Sequence, residues 1–143
     1  MQFDPSNKII QLCAEGMEAE GKGGVQAAKK LFLKAWEEST TDFEKFTASH
    51  YLARNQENIE DELIWNLESL RLARLIDEDS MKTYFPSLHL NLGKSYEKLN
   101  DSEMAKQHYT TAANFIKYLP DDGYGNMIRV GIREALKRVA PDK

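Results

Sequence analysis

The amino-acid sequence predicts an all-α protein. Apolar residues recur at intervals of three and four along almost the whole chain, which is the spacing that places them on one face of a helix. No long stretch shows the strict alternation of apolar and polar residues that a half-buried strand needs. Short polar residues, which can accept hydrogen bonds from free backbone N–H groups, mark about seven helix starts. We therefore expect helices only.

The first two helices are bounded by a proline and by a run of glycines. Asp4 is predicted to cap the first helix, with Pro5 in the first turn, where the missing N–H of a proline does no harm. This helix should continue to about Glu20, and the glycine-rich residues 21–24 should break it. The second helix should cover residues 25–39, with its apolar side chains on one face.

The third and fourth helices have polar start signals. Thr41 and Glu44 have the spacing of a capping box, in which each side chain accepts a hydrogen bond from the other residue's backbone N–H. Asn58 is predicted to cap the fourth helix, which should extend to about Ile76. Residues 77–80 are polar and should form the next break.

The later helices are delimited by proline, asparagine and aspartate. Pro86 should lie in the first turn of the fifth helix, because a proline further inside would remove a backbone hydrogen bond. Asn100 and Asp101 should end that helix and start the sixth, which is predicted to continue to about Tyr118. The last helix is predicted over residues 126–139, after a segment rich in helix breakers.

Composition narrows the class of protein. The chain has 143 residues, which is the size of one domain, and 19 Lys and Arg against 23 Asp and Glu give a net charge of −4. This balance gives no electrostatic attraction to nucleic acid or to an anionic membrane. No stretch approaches the roughly 18 apolar residues of a membrane span. The single cysteine, Cys13, is interpreted as a small buried hydrophobic residue, and we expect a soluble cytoplasmic protein.

One internal repeat is visible in the sequence. Small residues in two neighbouring helices let antiparallel helices approach closely, and an aromatic ring then fills the space toward the next pair. Two sets of four residues share the spacings 12, 4 and 3 and stand 77 positions apart: Gly16, Ala28, Phe32 and Ala35, and then Gly93, Ala105, Tyr109 and Ala112.

This pattern resembles the tetratricopeptide repeat, most closely at residues 92–96 (LGKSY), which include the family's glycine at Gly93 and its tyrosine at Tyr96. A group of small bacterial tetratricopeptide proteins of undefined function is also similar to this chain, in the segments HYLAR, YFPSLHLNLG and LPDDGYG. The resemblance implies one domain over residues 1–143, a right-handed α-solenoid of about three antiparallel helix pairs. The repeats would cover about residues 5–40, 41–77 (divergent) and 80–119, followed by a helix at 126–139 that solvates the end of the stack.

The resemblance also implies a function. First helices of successive repeats line a concave face that binds extended peptides or helices, so the expected partner is a protein or peptide and no catalysis is expected. By position, the residues expected on this face are Lys45, Ser49, Asn91, Lys94 and Arg129.

Two other functions stay open at this stage. One is a small-molecule sensor or unrecognised enzyme, with a polar pocket gathered from His50, Tyr51, Arg54, Trp65, Asn66 and His89. The other is a structural protein that self-associates, for example as a homodimer, through exposed helix surface. No cofactor motif occurs, and the three histidines lie on three different predicted helices without a second ligand at helical spacing. We therefore expect neither a cofactor nor a metal ion.

Overall fold

The computed structural model describes residues 5–140, apart from the side chain of residue 78, and this part of the chain is all α-helical, without strands. This confirms the predicted class. The α-helices are α1 (Lys8–Gly21), α2 (Val25–Glu38), α3 (Asp42–Ala53), α4 (Ile59–Leu75), α5 (Glu78–Met81), α6 (Phe85–Lys98), α7 (Ser102–Asn114) and α8 (Gly123–Arg138), with a 3₁₀ turn at Ile116–Tyr118 between the last two. Within residues 5–140, no helix combines the length and the apolar character needed to cross a bilayer.

Three predicted helix starts are confirmed. Thr41 and Glu44 form a reciprocal capping box at the start of α3. The Asn58 side chain accepts a hydrogen bond from the backbone N–H of Asp61, and the Asp101 side chain accepts one from Met104, at the starts of α4 and α7. These short side chains satisfy N–H groups that have no partner inside the helix, which is why they could be recognised from the sequence.

The predicted start of the first helix is wrong. The side chain of Asn7 caps α1 by accepting hydrogen bonds from the N–H groups of Ile9 (2.8 Å) and Ile10 (3.1 Å). Pro5 lies in a turn ahead of this cap rather than in the first helical turn. Asp4, which was predicted to be the cap, lies outside the described residues.

The predicted start of the last helix is wrong by three residues, because α8 begins at Gly123 and not at residue 126. Asp122 caps it by accepting a hydrogen bond from the N–H of Gly125 (2.9 Å). A methyl group on Gly125 would overlap the carbonyl oxygen of Pro120. Glycine is therefore present for a close backbone approach, whereas the sequence pattern indicated a helix breaker.

Two further boundaries differ from the prediction. The break predicted at residues 77–80 contains the short helix α5. The sixth predicted helix ends as α7 at Asn114, and the segment to Tyr118 continues as a tighter 3₁₀ turn. Such turns commonly follow the last α-helical turn, and the hydrophobic spacing does not separate the two forms.

The helices form two compact units, of which the first contains α1 to α4. In this unit α1 packs against α2, α3 packs against α4, and both α1 and α2 contact α3. Cys13 is buried, as predicted, and burial raises the pKa of its thiol to about 11. The core consists of Ile9, Leu12, Cys13, Ala28, Phe32, Ala35, Ala48 and Leu52.

The second unit contains α5 to α8. Here α6 packs against α7, and α8 contacts both of them. Its core consists of Leu90, Ala105, Tyr109, Ala112, Leu119, Ile128, Ile132 and Ala135. Each unit thus buries one of the two matching sets of small and aromatic residues that the sequence repeat picked out.

The matching residues make matching contacts. A methyl group on Gly16 would overlap the ring of Phe32, and one on Gly93 would overlap the ring of Tyr109. The aromatic side chain therefore lies directly on the glycine of its own helix pair, whereas the sequence predicted that it fills the space toward the next pair. Phe32 does both, because its ring also stacks on Tyr51 of α3, with 5.0 Å between centroids.

Candidate binding site

Ser49, one of the residues predicted on a partner-binding face, is fully buried in the first unit. Its hydroxyl donates to the carbonyl oxygen of Phe46 (2.9 Å) and shares a 2.8 Å hydrogen bond with the hydroxyl of Ser69. These contacts join α3 to α4 and leave no surface for a partner. Ser49 is therefore a structural residue, and its place on the predicted face has to be corrected.

Arg129, predicted on the same face, is used inside the second unit. Its guanidinium donates to the carbonyl oxygens of Leu119 (3.1 Å) and Pro120 (3.3 Å) and to the side chain of Asn126 (3.1 Å). Arg129 thus binds the backbone that leads into α8. Lys94 is exposed and Asn91 is half-buried, so both keep accessible side-chain surface.

Three residues of the predicted polar pocket lie together at the end of α3. The rings of His50 and Tyr51 are 5.6 Å apart, and the guanidinium of Arg54 lies 4.7 Å from the centre of the Tyr51 ring. The Nδ1 atom of His50 is buried and has no hydrogen-bond partner among the described residues. Burial, helped by the positive charge of Arg54, lowers the pKa of His50 to about 4, so its ring is neutral near pH 7.

Arg54 is held by an acidic residue that the sequence analysis missed. Its Nε donates to the carboxylate of Glu20 at 2.9 Å, and the side-chain amide of Asn55 donates to the same oxygen at 2.9 Å. The hydrogen bond from Arg54 lowers the pKa of Glu20. Glu20 and Arg54 are 34 residues apart, and no local pattern links them.

The other members of the predicted pocket lie elsewhere. Trp65 packs edge-on against Trp36 of α2, with 5.0 Å between ring centroids, and Asn66 is buried in α4. His89 belongs to α6 in the second unit. The six residues therefore divide into an α3 group, an α4 pair and one residue of the second unit.

His89 and His108 form a pair between α6 and α7, with their Nδ1 atoms 3.0 Å apart. The ring of Tyr96 stacks on His108 at 5.4 Å, and Phe85 lies beside His89 at 6.2 Å. The sequence correctly placed these histidines on different helices, but it did not anticipate that helix pairing brings them together. Among the described residues, no group of three histidine, cysteine or carboxylate side chains is arranged to hold a metal ion.

A groove with a volume of about 420 Å³ lies between α2 and α4 in the first unit. Two aromatic side chains, two aliphatic ones and one ion pair line it. We define this tryptophan groove by its lining residues Trp36, Ile64, Trp65, Leu67, Glu68 and Arg71. The ammonium group of Lys45, one of the residues predicted on the binding face, lies 4.7 Å from the centre of the Trp36 ring.

Apolar side chains in this groove are open to solvent. Ile64 is 60% exposed and Leu67 is 40% exposed, and Leu75 continues the same face of α4 at 59% exposure. Large exposed apolar patches mark interaction surfaces more often than isolated exposed residues do. The ion pair is internally satisfied, because Arg71 donates to both carboxylate oxygens of Glu68 at 2.7 Å, and this lowers the pKa of Glu68.

One end of the tryptophan groove is acidic. The first turn of α4 carries Glu60, Asp61 and Glu62, directly before Ile64. Residues four positions apart lie on the same face of a helix, so Glu60 lies one turn before Ile64 on the exposed face. The groove therefore has an apolar floor, with negative charge in the turn of α4 before it and the Lys45 ammonium group beside Trp36.

A smaller groove of about 190 Å³ lies between α1 and α3. It includes Tyr51 from the predicted pocket, together with Thr47 of the same helix. Its α1 side consists of Ile10, Cys13, Ala14 and Met17. The site is mostly apolar, and it offers fewer large exposed side chains than the tryptophan groove.

No protein-family model matches this chain, and a search of curated proteins finds no match either. The likeness to tetratricopeptide repeats therefore depends on residues of this sequence alone. Any function has to be argued from the grooves and charges described above.

Proposed function

We propose that this chain is a binding scaffold of the tetratricopeptide type, without catalysis, that takes an amphipathic helix of another protein in the tryptophan groove. The observation that carries the proposal is the exposed pair Ile64 and Leu67 of α4 beside the half-buried Trp36 and Trp65, whose rings lie side by side in one groove. The two glycine and aromatic contacts at equivalent repeat positions support the family assignment.

A helix is the occupant that this groove fits best. Helices bind grooves by placing apolar residues at intervals of three and four against an apolar floor. Tryptophan and arginine are enriched among the residues that contribute most to binding energy, and Trp36, Trp65 and Arg71 lie together here. Burying apolar surface contributes about 25 cal/mol for each Å² removed from water.

The charge of the groove selects a basic helix. The carboxylates of Glu60 and Asp61 stand on exposed helix surface beside Ile64. A partner with lysine or arginine next to its apolar face gains attraction at this end, whereas an acidic partner is repelled. Charge thus contributes specificity, and the apolar contacts contribute most of the affinity.

The chain contains its own spectroscopic reporter for this proposal. Its two tryptophans are both lining residues, so tryptophan fluorescence, excited at a wavelength that tyrosine does not absorb, reports on the groove. We expect a designed helical peptide of leucine and lysine to produce a saturable blue shift of the emission, because it excludes water from both indole rings. The same peptide with glutamate in place of lysine should bind at least about tenfold more weakly.

Two matched variants control the experiment. Ile64→Glu places a charge in the groove at a residue that is 60% exposed, and Met127→Glu places one on α8 at a residue that is 62% exposed. We expect Ile64→Glu to lose at least about tenfold in peptide affinity and Met127→Glu to bind normally. Equal peptide affinity of the unaltered protein and Ile64→Glu would exclude the groove as the site.

A further inference from the structure

The outer face of α8 carries an apolar stripe. Tyr124, Met127 and Val130 follow one another at intervals of three residues and are 46%, 62% and 45% exposed. The opposite face of the same helix is buried in the second unit. The sequence predicted that this helix solvates the end of the chain's helical stack. A helix in that position needs a polar outer face, whereas the exposed stripe of α8 is apolar.

Charges at the two ends of α8 have opposite sign. Asp121 and Asp122 precede the helix and are exposed, and Arg133 and Lys137 are exposed in its second half. Lys137 lies 14 positions after the first helical residue, Gly123, or about 21 Å along the helix at 1.5 Å per residue, so it is far from the two aspartates. The stripe lies between the acidic and the basic residues, so the order along the helix is acidic, apolar and basic.

We propose that the α8 stripe is a self-association surface, on which α8 of a second copy of this chain packs antiparallel across a two-fold axis near the middle of the helix. A two-fold axis places Met127 and Val130 of both copies together. It also brings Lys137 of each copy toward Asp121 of the other, so one geometry satisfies both charged ends at once.

The pattern of charge selects a second copy in this orientation. A parallel arrangement would place acid against acid and base against base, and like charges facing each other at an interface are repelled. Lys137 already makes a 3.4 Å ion pair with Glu134 of its own helix and is 67% exposed, so its ammonium group stays accessible to a second carboxylate. The contact uses the second unit only and is separate from the tryptophan groove.

The test is sedimentation equilibrium of the full chain over a concentration series from about 1 μM to about 1 mM. We expect a monomer–dimer equilibrium that Met127→Glu weakens at least about tenfold, because two carboxylates meet near the two-fold axis. Lys137→Glu should also weaken it, and the double variant Lys137→Glu with Asp121→Lys should restore it, because the charges are only exchanged.

Ile64→Glu is the matched control, since it adds the same charge to an equally exposed apolar residue of the first unit. It should dimerise like the unaltered protein. A monomer at every concentration overturns the proposal, and so does a dimer that Ile64→Glu weakens and Met127→Glu does not. Failure of the exchanged pair to restore association overturns the antiparallel arrangement. Helix content by circular dichroism verifies that each variant is folded.

Discussion

The two units of the molecule contain the same contact built from different atoms. In the first unit the ring of Phe32 lies on Gly16, and Glu20, four residues after the glycine, binds Arg54 at the end of α3. In the second unit the ring of Tyr109 lies on Gly93, and Glu97, again four residues after the glycine, binds Arg138 at the end of α8 at 3.0 Å. The repeat thus extends to an acidic residue that the sequence analysis did not include.

The difference lies in how the aromatic ring meets the acid. Tyr109 donates its hydroxyl hydrogen bond to Glu97 at 2.7 Å, so the ring and the ion pair form one network. Phe32 has no hydroxyl group, and its ring stacks on Tyr51, which in turn lies under the guanidinium of Arg54. Packing against a glycine is therefore the fixed requirement, and the polar contact to the acid can be supplied in more than one way.

The largest effect is expected from filling the space under the rings. Gly16→Ala and Gly93→Ala should each lower the free energy of unfolding by about 3 kcal/mol, because the added methyl group overlaps a ring that packing holds in place. Gly21→Ala is the matched control. It adds the same methyl group to the end of α1, where nothing lies within 4 Å, and should be neutral or stabilising by less than about 1 kcal/mol.

Urea unfolding of the three variants measures these differences. A large loss for Gly93→Ala without one for Gly16→Ala would show that the two contacts are equivalent in geometry but not in energy. Losses equal to that of Gly21→Ala would contradict the role assigned to both glycines.

Histidines provide the second contrast, because the first unit buries the Nδ1 atom of one histidine, His50, and the second unit pairs His89 with His108. The pKa of His50 is lowered from 6.5 to about 4, so between these values the unfolded chain binds a proton that the folded chain does not. Stability contributed by the neutral ring is therefore present above about pH 6.5 and lost as the pH falls. The expected loss between pH 7 and pH 5 is about 2 kcal/mol.

His50→Gln removes this titration. Between pH 7 and pH 5 the free energy of unfolding should fall less for this variant than for the unaltered protein. The difference between the two falls should be about 2 kcal/mol. Parallel pH profiles for the two proteins would show that His50 takes up its proton equally in the folded and unfolded chains.

A smaller effect is expected from exchanging the two aromatic residues. Tyr109→Phe should lower the free energy of unfolding by about 1 kcal/mol, because Glu97 loses a neutral hydrogen-bond donor but keeps its ion pair with Arg138. Phe32→Tyr should cost less than about 1 kcal/mol, because its new hydroxyl group has the carboxylate of Glu20 at the equivalent position. A loss of several kcal/mol for Phe32→Tyr would show that a hydroxyl group at this position does not reach Glu20. The two units would then be equivalent in the packing of ring on glycine but not in the acidic residue.

Local signals in the sequence predicted much of this fold. Thr41, Asn58 and Asp101 were recognised as helix caps because a cap bonds only to residues two or three positions away. The two glycine and aromatic pairs were found because a repeat preserves spacing. Gly125 was misread, because a glycine that permits close backbone approach looks the same in the sequence as one that breaks a helix.

The candidate site was predicted less well, because surface function depends on contacts between distant residues. Trp65 was included among the pocket residues, but its partner Trp36 lies 29 positions away on another helix. Ser49 was placed on a binding face from its position in the repeat, although a hydroxyl group can equally well be buried against Ser69. A usable signal was the exposed apolar Ile64, which lies opposite the buried side of α4.

The paired acid and arginine have a consequence for the length of the chain between them. Glu20 and Arg54 are 34 residues apart, whereas Glu97 and Arg138 are 41 apart. Each pair nevertheless forms the same kind of ion pair within its own unit. The segment between the acid and the arginine can therefore differ in length by several residues while the ion pair is kept. The longer connection of the second unit, between α7 and α8, is nevertheless held in place, because Arg129 donates to the carbonyl oxygens of Leu119 and Pro120.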